Sequence, residues 1–182
     1  GHDLPAVTLV GVLNADAALS LPDFRAAERT FQLLVQVAGR AGRADQAGRV
    51  LIQTRNPEHP AVACAAQHDV RTFVESELEE REEVGHPPFS RAALVRFEGT
   101  DEPSVRREAE RWGQLAERQA REVRIFPPTP APLARLRNRY RYHFFLRSTS
   151  HTALFEVLRT LARASSPRSI KVSIDVDPMT ML

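Results

Sequence analysis

The chain contains very little lysine. Lys171 is the only lysine among 25 basic residues, and it lies near the C-terminus. The sequence therefore has no phosphate-binding loop of the form G-x-x-x-x-G-K-[ST], because that loop needs its lysine to reach the β- and γ-phosphates of a nucleotide. No pair of acidic residues follows a predicted buried strand to hold Mg²⁺. We therefore expect that this polypeptide does not hydrolyse a nucleotide by itself.

Cysteine and long apolar runs are also scarce. Cys64 is the only cysteine, which excludes an internal disulfide and a zinc site built from several cysteines, and we expect it to be a small buried hydrophobic residue. No run of about 18 apolar residues occurs, and residues 1–20 lack a basic start followed by an apolar stretch. We predict no membrane span, no secretory signal and a cytoplasmic location. His59, His68 and His86 share no metal-ligand spacing with nearby acids or thiols, so no metal site is predicted.

Arginine is what the chain has in quantity. The hydrophobic content of 42% over 182 residues is enough for one large or two small domains with a proper core. The formal net charge is only +2, so the total charge says little about partners. Where the arginines concentrate is therefore more informative than how many there are.

The first 56 residues have the pattern of a strand, a helix and a second strand. Residues 7–13 form a near-continuous apolar run, which is typical of strands buried on both faces of a parallel sheet. Apolar residues at helical spacing follow from residue 26 to residue 38, with Asp23 as a candidate N-cap, and residues 50–52 form another short apolar run. The order predicts the end of a doubly wound α/β domain over residues 1–56.

The segment QVAGRAGR at residues 36–43 is the most informative motif. If it is helical, Gln36, Arg40 and Arg43 lie on one face, and each glycine between them costs about 1 kcal/mol relative to alanine. A groove in which something approaches the backbone closely explains that cost. Arginines there would neutralise charge on a transferring γ-phosphoryl group. The alternative interpretation is an amphipathic helix with exposed arginines.

Residues 57–88 are predicted to be a polar helical connector, and the charged run EEREE at 79–83 is expected to be a solvated helix face rather than a partner site. The remainder, residues 89–182, reads as strand, helix, strand, strand, helix, strand. Asp101 and Ser150 are the expected N-caps of its two helices, and Trp112 is an expected core residue. That order predicts a ferredoxin-like, split βαβ domain with an α+β fold.

A basic segment, RLRNRYRY, occupies residues 135–142 after a proline-rich stretch. In one continuous strand, its period of two would place four arginines on one face, with Leu136, Tyr140 and Tyr142 on the other. No acidic residue lies between Arg135 and Arg147, so a polyanion such as nucleic acid is a natural counter-charge, and Tyr140 or Tyr142 would stack a base. The alternative is a solvated, charged edge strand with both tyrosines in the core. The four arginines are Arg135, Arg137, Arg139 and Arg141.

Several motifs together resemble the C-terminal third of the PriA family of replication-restart helicases, also called primosomal protein N′. Residues 36–43 alone would indicate only a superfamily-two helicase, while the later motifs are specific to this family. Asn138 stands where glycine is frequent in the family, which puts only the local turn in doubt. The segments that carry the resemblance are GHDLP (1–5), VGVLNAD (10–16), PDFRAAER (22–29), QVAGRAGR (36–43), QT (53–54), NPEH (56–59), PPF (87–89), RLR (135–137), YR (140–141) and DVDP (175–178).

The resemblance implies a 3′-to-5′ DNA helicase that recognises stalled or repaired forks, displaces a strand with ATP and Mg²⁺, and recruits the replicative helicase loader and other primosome proteins. Residues 1–56 would be the C-terminal part of the second RecA-like helicase lobe. Residues 89–182 would be the family's C-terminal domain, which binds branched and single-stranded DNA and helps to dock single-stranded-DNA-binding protein. The location would be cytoplasmic and nucleoid-associated.

The resemblance also assigns roles to single residues. Arg40 and Arg43 would contact the γ-phosphate held by the other lobe, Gln36 would couple that site to DNA, and Asp3 would help to line the nucleotide cleft. The DNA-binding role of the family's C-terminal domain favours DNA contacts for the basic segment, including Tyr140. The family's Zn²⁺ sites use cysteines upstream of Gly1.

Two other functions remain open at this stage. Some relatives of the family have lost the phosphate loop, so the parent protein is alternatively a fork-binding scaffold for primosome assembly that does not translocate. A ribosome-associated RNA-binding protein would explain the basic segment and the split βαβ pattern, but it leaves residues 36–43 unexplained.

Overall fold

The computed structural model describes residues 7–39 and 48–181, which form two compact units that divide between Glu80 and Arg81. The first unit contains β1, α1, α2, β2, α3 and most of α4, and the remaining elements lie in the second. In chain order the elements are β1 (Leu9–Val12), α1 (Asp16–Leu19), α2 (Ala26–Ala38), β2 (Arg49–Ile52), α3 (Pro60–Ala66), α4 (Val70–Val84), β3 (Arg91–Gly99), α5 (Glu102–Gln119), β4 (Arg124–Leu136), β5 (Arg139–Ser148), α6 (His151–Ala162) and β6 (Lys171–Val176).

The first unit is a parallel strand pair with helices. β1 and β2 pair in parallel from Leu9 opposite Arg49 to Val12 opposite Ile52, and α2 connects them. Its core joins α2 to α3 and α4, and the Phe31 ring stacks on Phe73 with 4.0 Å between ring centroids. The predicted strand, helix, strand order is confirmed, and Cys64 is buried in this core as expected.

The prediction that these strands are buried on both faces is wrong. Burial alternates along β1 and β2, and the side chains of Leu9 and Leu51 are 58% and 56% exposed. Within the described residues the sheet has only two strands, so one apolar face of the pair has nothing packed on it. α2 ends at Ala38 with Gly39 as its C-cap, and Arg40 and Arg43 lie outside the described residues.

The predicted connector is helical, as expected, but α3 packs into the core of the first unit through Ala61, Val62 and Ala65. The division between the two compact units falls inside α4, after Glu80. The connector's role and its boundaries at residues 57 and 88 stay predictions. The charged run is solvated except at Arg81, which is 8% exposed and whose Nη1 donates to the Pro87 carbonyl at 3.4 Å.

The second unit has the predicted split βαβ topology. Its four strands are antiparallel in the order β4-β5-β3-β6, so the first and last strands of the motif lie side by side. α5 and α6 both pack on the face of the sheet that carries Val95 and Phe97 on β3 and Phe144 and Leu146 on β5. We call this the helix face and the opposite one the helix-free face. A ferredoxin-like arrangement is therefore confirmed for this unit.

The expected helix caps and the expected core tryptophan are present. Asp101 accepts from Ser104 N–H at 3.1 Å, and Ser150 accepts from Ala153 N–H at 3.2 Å. Trp112 is 4% exposed and meets Phe97 edge-on at 5.6 Å between ring centroids. The two caps fix where α5 and α6 begin, and the Trp112–Phe97 contact packs α5 against the sheet.

The prediction of one long strand through residues 135–142 is wrong. β4 runs from Arg124 to Leu136 and includes the proline-rich stretch of residues 127–132, with register shifts after Phe126 and after Pro130. Arg137 and Asn138 then reverse the chain, with φ values of 49° and 59°. Two consecutive left-handed residues between paired strands make a tight two-residue hairpin turn. The prolines are tolerated because β4 is an edge strand, where missing N–H donors face no partner.

Candidate nucleic-acid interface

The β4–β5 hairpin, residues 124–148, concentrates positive charge. No aspartate or glutamate occurs from residue 123 to residue 155, while the hairpin carries six arginines. We call residues 124–148 the basic hairpin. Its arginines are Arg124, Arg135, Arg137, Arg139, Arg141 and Arg147.

The structure divides the four predicted arginines between different positions. Arg135 is directly opposite Tyr140, so both point to the side of the helix face, whereas Arg139 and Arg141 point to the helix-free side. Arg137 lies exposed in the turn. The prediction that all four share one face is wrong because the turn reverses the chain between Arg135 and Arg139.

Two of these arginines, Arg135 and Arg137, form the tip of the hairpin. Arg135 Nη2 donates to Asn138 Oδ1 at 3.0 Å, and its guanidinium lies 5.2 Å from the centroid of the Tyr140 ring. Arg137 is exposed and has no ion pair among the described residues. The tip therefore presents two guanidinium groups that no carboxylate in the described part of the chain neutralises.

Strand β3 supplies a partner that the sequence around the basic segment lacks. Glu98 lies opposite Arg141, and its Oε1 is 3.3 Å from Arg141 Nε. The angle at that nitrogen does not suit a hydrogen bond, so the contact is an ion pair only. Arg139 Nη2 donates to the Glu98 carbonyl at 3.2 Å. Arg141 is thus partly neutralised. The basic segment has no acidic partner nearby in sequence, as expected, but Glu98 of β3 supplies one in the fold.

The two tyrosines of the segment differ in their surroundings. Tyr142 is buried on the helix face, and its hydroxyl donates to Glu102 Oε1 at 3.3 Å. Burial, followed by the Glu102 charge, raises the pKa of Tyr142. Tyr140 is half-buried beneath the Arg135 guanidinium. The interpretation that places the tyrosine in the core is therefore right for Tyr142, and only Tyr140 remains near the surface.

The centre of the helix-free face is covered. Ala92 and Leu94 are fully buried there, and the segment after β6 returns over this face, where Arg96 Nη2 donates to the Thr180 carbonyl at 2.8 Å. His143 lies opposite Arg96, and burial together with the charges of Arg96 and Arg141 lowers the pKa of His143. A base cannot stack on the middle of this sheet, which removes the platform that many RNA-binding sheets use.

Sequence reasoning missed the basic residues at the other end of the hairpin. Arg124 and Arg147 lie directly opposite each other on the helix-free side, next to Phe126. The signal was the same period of two continued beyond Tyr142, since Arg139, Arg141, His143 and Arg147 all occupy odd positions of β5. The absence of acids over residues 123–155 was a second signal.

The predicted nucleotide contacts are largely outside the described part of the chain. Asp3, Arg40 and Arg43 all lie in the residues that the structure does not describe. Gln36 is described and is exposed in the last turn of α2. The roles of these four residues stay predictions.

Neither a metal site nor a membrane span is present in residues 7–39 and 48–181. No group of three or more histidine, cysteine or acidic side chains in these ranges is placed to hold a metal ion. No helix there has the length and apolar character that crossing a bilayer requires.

Comparison with known proteins identifies the family. Residues 82–179 match the family described as the primosomal protein N C-terminal domain. The chain belongs to the PriA family. The match of the PriA domain covers β3 to β6 and therefore the whole basic hairpin.

Three curated relatives, each called replication restart protein PriA, align with the entire chain. The relative from Bacillus subtilis is 37% identical, that from Synechocystis 38% and that from Treponema pallidum 39%. The aligned region is 23%, 22% and 28% of their respective lengths, so the chain spans about a quarter of each PriA relative. The resemblance seen in the short motifs is confirmed.

Proposed function

We propose that the chain is the C-terminal part of an ATP-dependent 3′-to-5′ DNA helicase that acts in replication restart and primosome assembly at stalled or repaired forks. The observation that carries this proposal is the alignment of the whole chain with proteins named for replication restart. The proposed partners are branched and single-stranded DNA, single-stranded-DNA-binding protein, and primosome and helicase-loader proteins. The proposed location is the cytoplasm, at the nucleoid.

The first unit is proposed to be the end of the second RecA-like lobe. Two features support this assignment: a parallel strand pair joined through a helix, and an exposed apolar face on that pair, with Leu9 and Leu51 in it. Parallel sheets are normally covered on both faces, so this pair resembles part of a larger sheet. In that lobe Arg40 and Arg43 would stabilise the γ-phosphate, with Gln36 and Asp3 nearby. ATP, Mg²⁺ and Zn²⁺ would be held largely by segments upstream of Gly1.

Alanine substitution in the full-length protein tests the motor. R40A or R43A should lower DNA-stimulated ATP hydrolysis about 10³-fold or more, because an arginine finger contributes that much to phosphoryl transfer. R71A is the matched control, since Arg71 is an exposed arginine on α4 that pairs with Glu75. Unchanged turnover in both finger variants would contradict the assignment. A wild-type protein that binds forks and hydrolyses no ATP would instead indicate a scaffold.

The second unit is proposed to bind DNA through the basic hairpin. Two observations support this role: the positive charge of the hairpin and the backbone of its turn. Arg137 occupies a left-handed position in the turn, where glycine or asparagine is favoured. Strained residues of this kind concentrate at functional sites. The test is the affinity of the chain for forked DNA, single-stranded DNA and structured RNA at one fixed salt concentration. A clear preference for structured RNA would overturn the DNA assignment.

A further inference from the structure

The base of the basic hairpin, at the end opposite the turn, places two arginines side by side. Arg124 on β4 and Arg147 on β5 are directly opposite in the register, so their side chains leave the sheet on the same side. Like charges in directly opposite positions destabilise a strand pair. Burial of the Arg147 guanidinium, followed by the charge of Arg124, lowers the pKa of Arg147. The arrangement therefore costs stability unless an anion compensates it.

An aromatic ring and a histidine fix the positions of these two guanidinium groups. The ring centroid of Phe126 lies 4.9 Å from the Arg124 guanidinium carbon and 5.6 Å from that of Arg147. Arg147 Nη1 is 3.3 Å from His86 Nδ1, and since arginine only donates, that histidine nitrogen is the acceptor. Burial and the charges of Arg147 and Arg81 lower the pKa of His86, so the ring is neutral at pH 7.

No carboxylate in residues 7–39 and 48–181 balances the pair. Neither guanidinium has an acidic oxygen within 4.0 Å among the described residues, in contrast to Arg96 and Arg141 in the middle of the same face, which pair with Asp175 and Glu98. Asp177, which bonds to Ala92 beside β5, is already bound to Arg91 Nη1 at 2.7 Å. Arg124 is exposed and Arg147 half-buried, so a ligand can reach both.

We propose that Arg124 and Arg147, held beside Phe126, bind a backbone phosphate of single-stranded nucleic acid. This inference rests on the proposed nucleic-acid binding of the hairpin and adds a second contact point to it. Guanidinium groups fixed in place match phosphate oxygens with little loss of side-chain freedom. Along β5, the eight residue steps from Arg139 to Arg147 correspond to about 27 Å at ~3.4 Å per residue. A stacked strand covers that distance with about eight nucleotides at ~3.4 Å each.

The test is the salt dependence of single-stranded DNA binding by the full chain, measured with a labelled oligonucleotide of about 15 nucleotides. Each phosphate contact contributes about 0.7 to the slope of log affinity against log salt on a single strand. R124Q should reduce that slope by about 0.7. The ratio of wild-type affinity to R124Q affinity should therefore be about 2.6-fold larger at 50 mM than at 200 mM salt. R106Q removes the same charge from an ion-paired site on α5 and should leave the slope unchanged.

Two further arms make the outcome unambiguous. R147K keeps the charge but loses the forked geometry, so it should weaken binding while retaining the wild-type slope. Inorganic phosphate should compete with the wild-type chain only weakly, because it offers one phosphate rather than a row. If wild type binds DNA and R124Q behaves like R106Q, this site is refuted and the proposed function stands. If wild type does not bind single-stranded DNA at all, this site and the proposed single-stranded DNA binding by the basic hairpin are both refuted.

Discussion

Replacing Arg137 by glycine should stabilise the fold and weaken DNA binding at the same time. Arg137 has a φ of 49°, in the left-handed region that costs an L-residue about 1–2 kcal/mol. Glycine removes that cost but adds chain entropy to the unfolded state, about 0.5–1 kcal/mol. The free energy of unfolding should therefore rise in R137G, by up to about 1.5 kcal/mol.

The same substitution removes one charge that is available to a phosphate. Arg137 is exposed at the tip and forms no ion pair with any described residue, so the salt slope on single-stranded DNA should fall by about 0.7. Urea denaturation and fluorescence anisotropy over 50–200 mM salt measure the two effects on the same samples. Because the two effects have opposite signs, loss of binding cannot be attributed to unfolding.

Asn138 offers the matched control. Its φ is 59°, so N138G changes the backbone of the same turn, but it keeps every arginine of the hairpin. It removes only the acceptor for Arg135 Nη2. N138G should keep the wild-type salt slope. A destabilised R137G, or an R137G with the wild-type slope, would refute the reasoning that the arginine is kept in the turn for binding.

Two further predictions concern the stability and charge of the second unit. Glu108 accepts from Arg111, Trp112 and Ser166, at distances of 2.6–3.0 Å, and the first of these lowers its pKa most. E108Q should lose about 3 kcal/mol in urea denaturation, whereas E110Q should lose little, because Glu110 is only half-buried and pairs with the exposed Arg106. The lowered pKa of Glu108 means that its ionised form stabilises the fold above about pH 4.5, and this stabilisation is lost as acid protonates the carboxylate. Wild type should therefore lose more stability than E108Q as the pH falls below 4.5. E98Q should release Arg141 and steepen the DNA salt slope by about 0.7, and an unchanged slope would show that Arg141 does not reach DNA.

Most of the second unit could be predicted because local signals agreed with the tertiary fold. Asp101 and Ser150 lie at helix starts, and Trp112 lies on the apolar face of α5. The order of strands and helices along the chain followed from segments whose apolar residues repeat at strand spacing or at helix spacing. These features depend on contacts within a few residues along the chain, which a sequence shows directly. The family motifs and the alignments lead to the same assignment.

The site could be predicted only in outline. The alternation of arginines over residues 135–142 suggested one strand. The same alternation continues across the two-residue turn, and the turn residues are not the asparagine-glycine pair that usually marks such a turn in a sequence. Glu98 is far from Arg141 in sequence and close to it only because β3 pairs with β5. The same pairing of strands placed Arg124 opposite Arg147, two residues that no sequence spacing connects.

The sequence by itself determined the family, the split βαβ order and the concentration of positive charge in an acid-free segment, because these are properties of residue type and local spacing. Only the tertiary structure decided which arginines are neutralised and which are left for a ligand. The physical reason is that charges interact over a few ångströms of space regardless of chain separation. Register across the sheet, and not position along the chain, sets those distances.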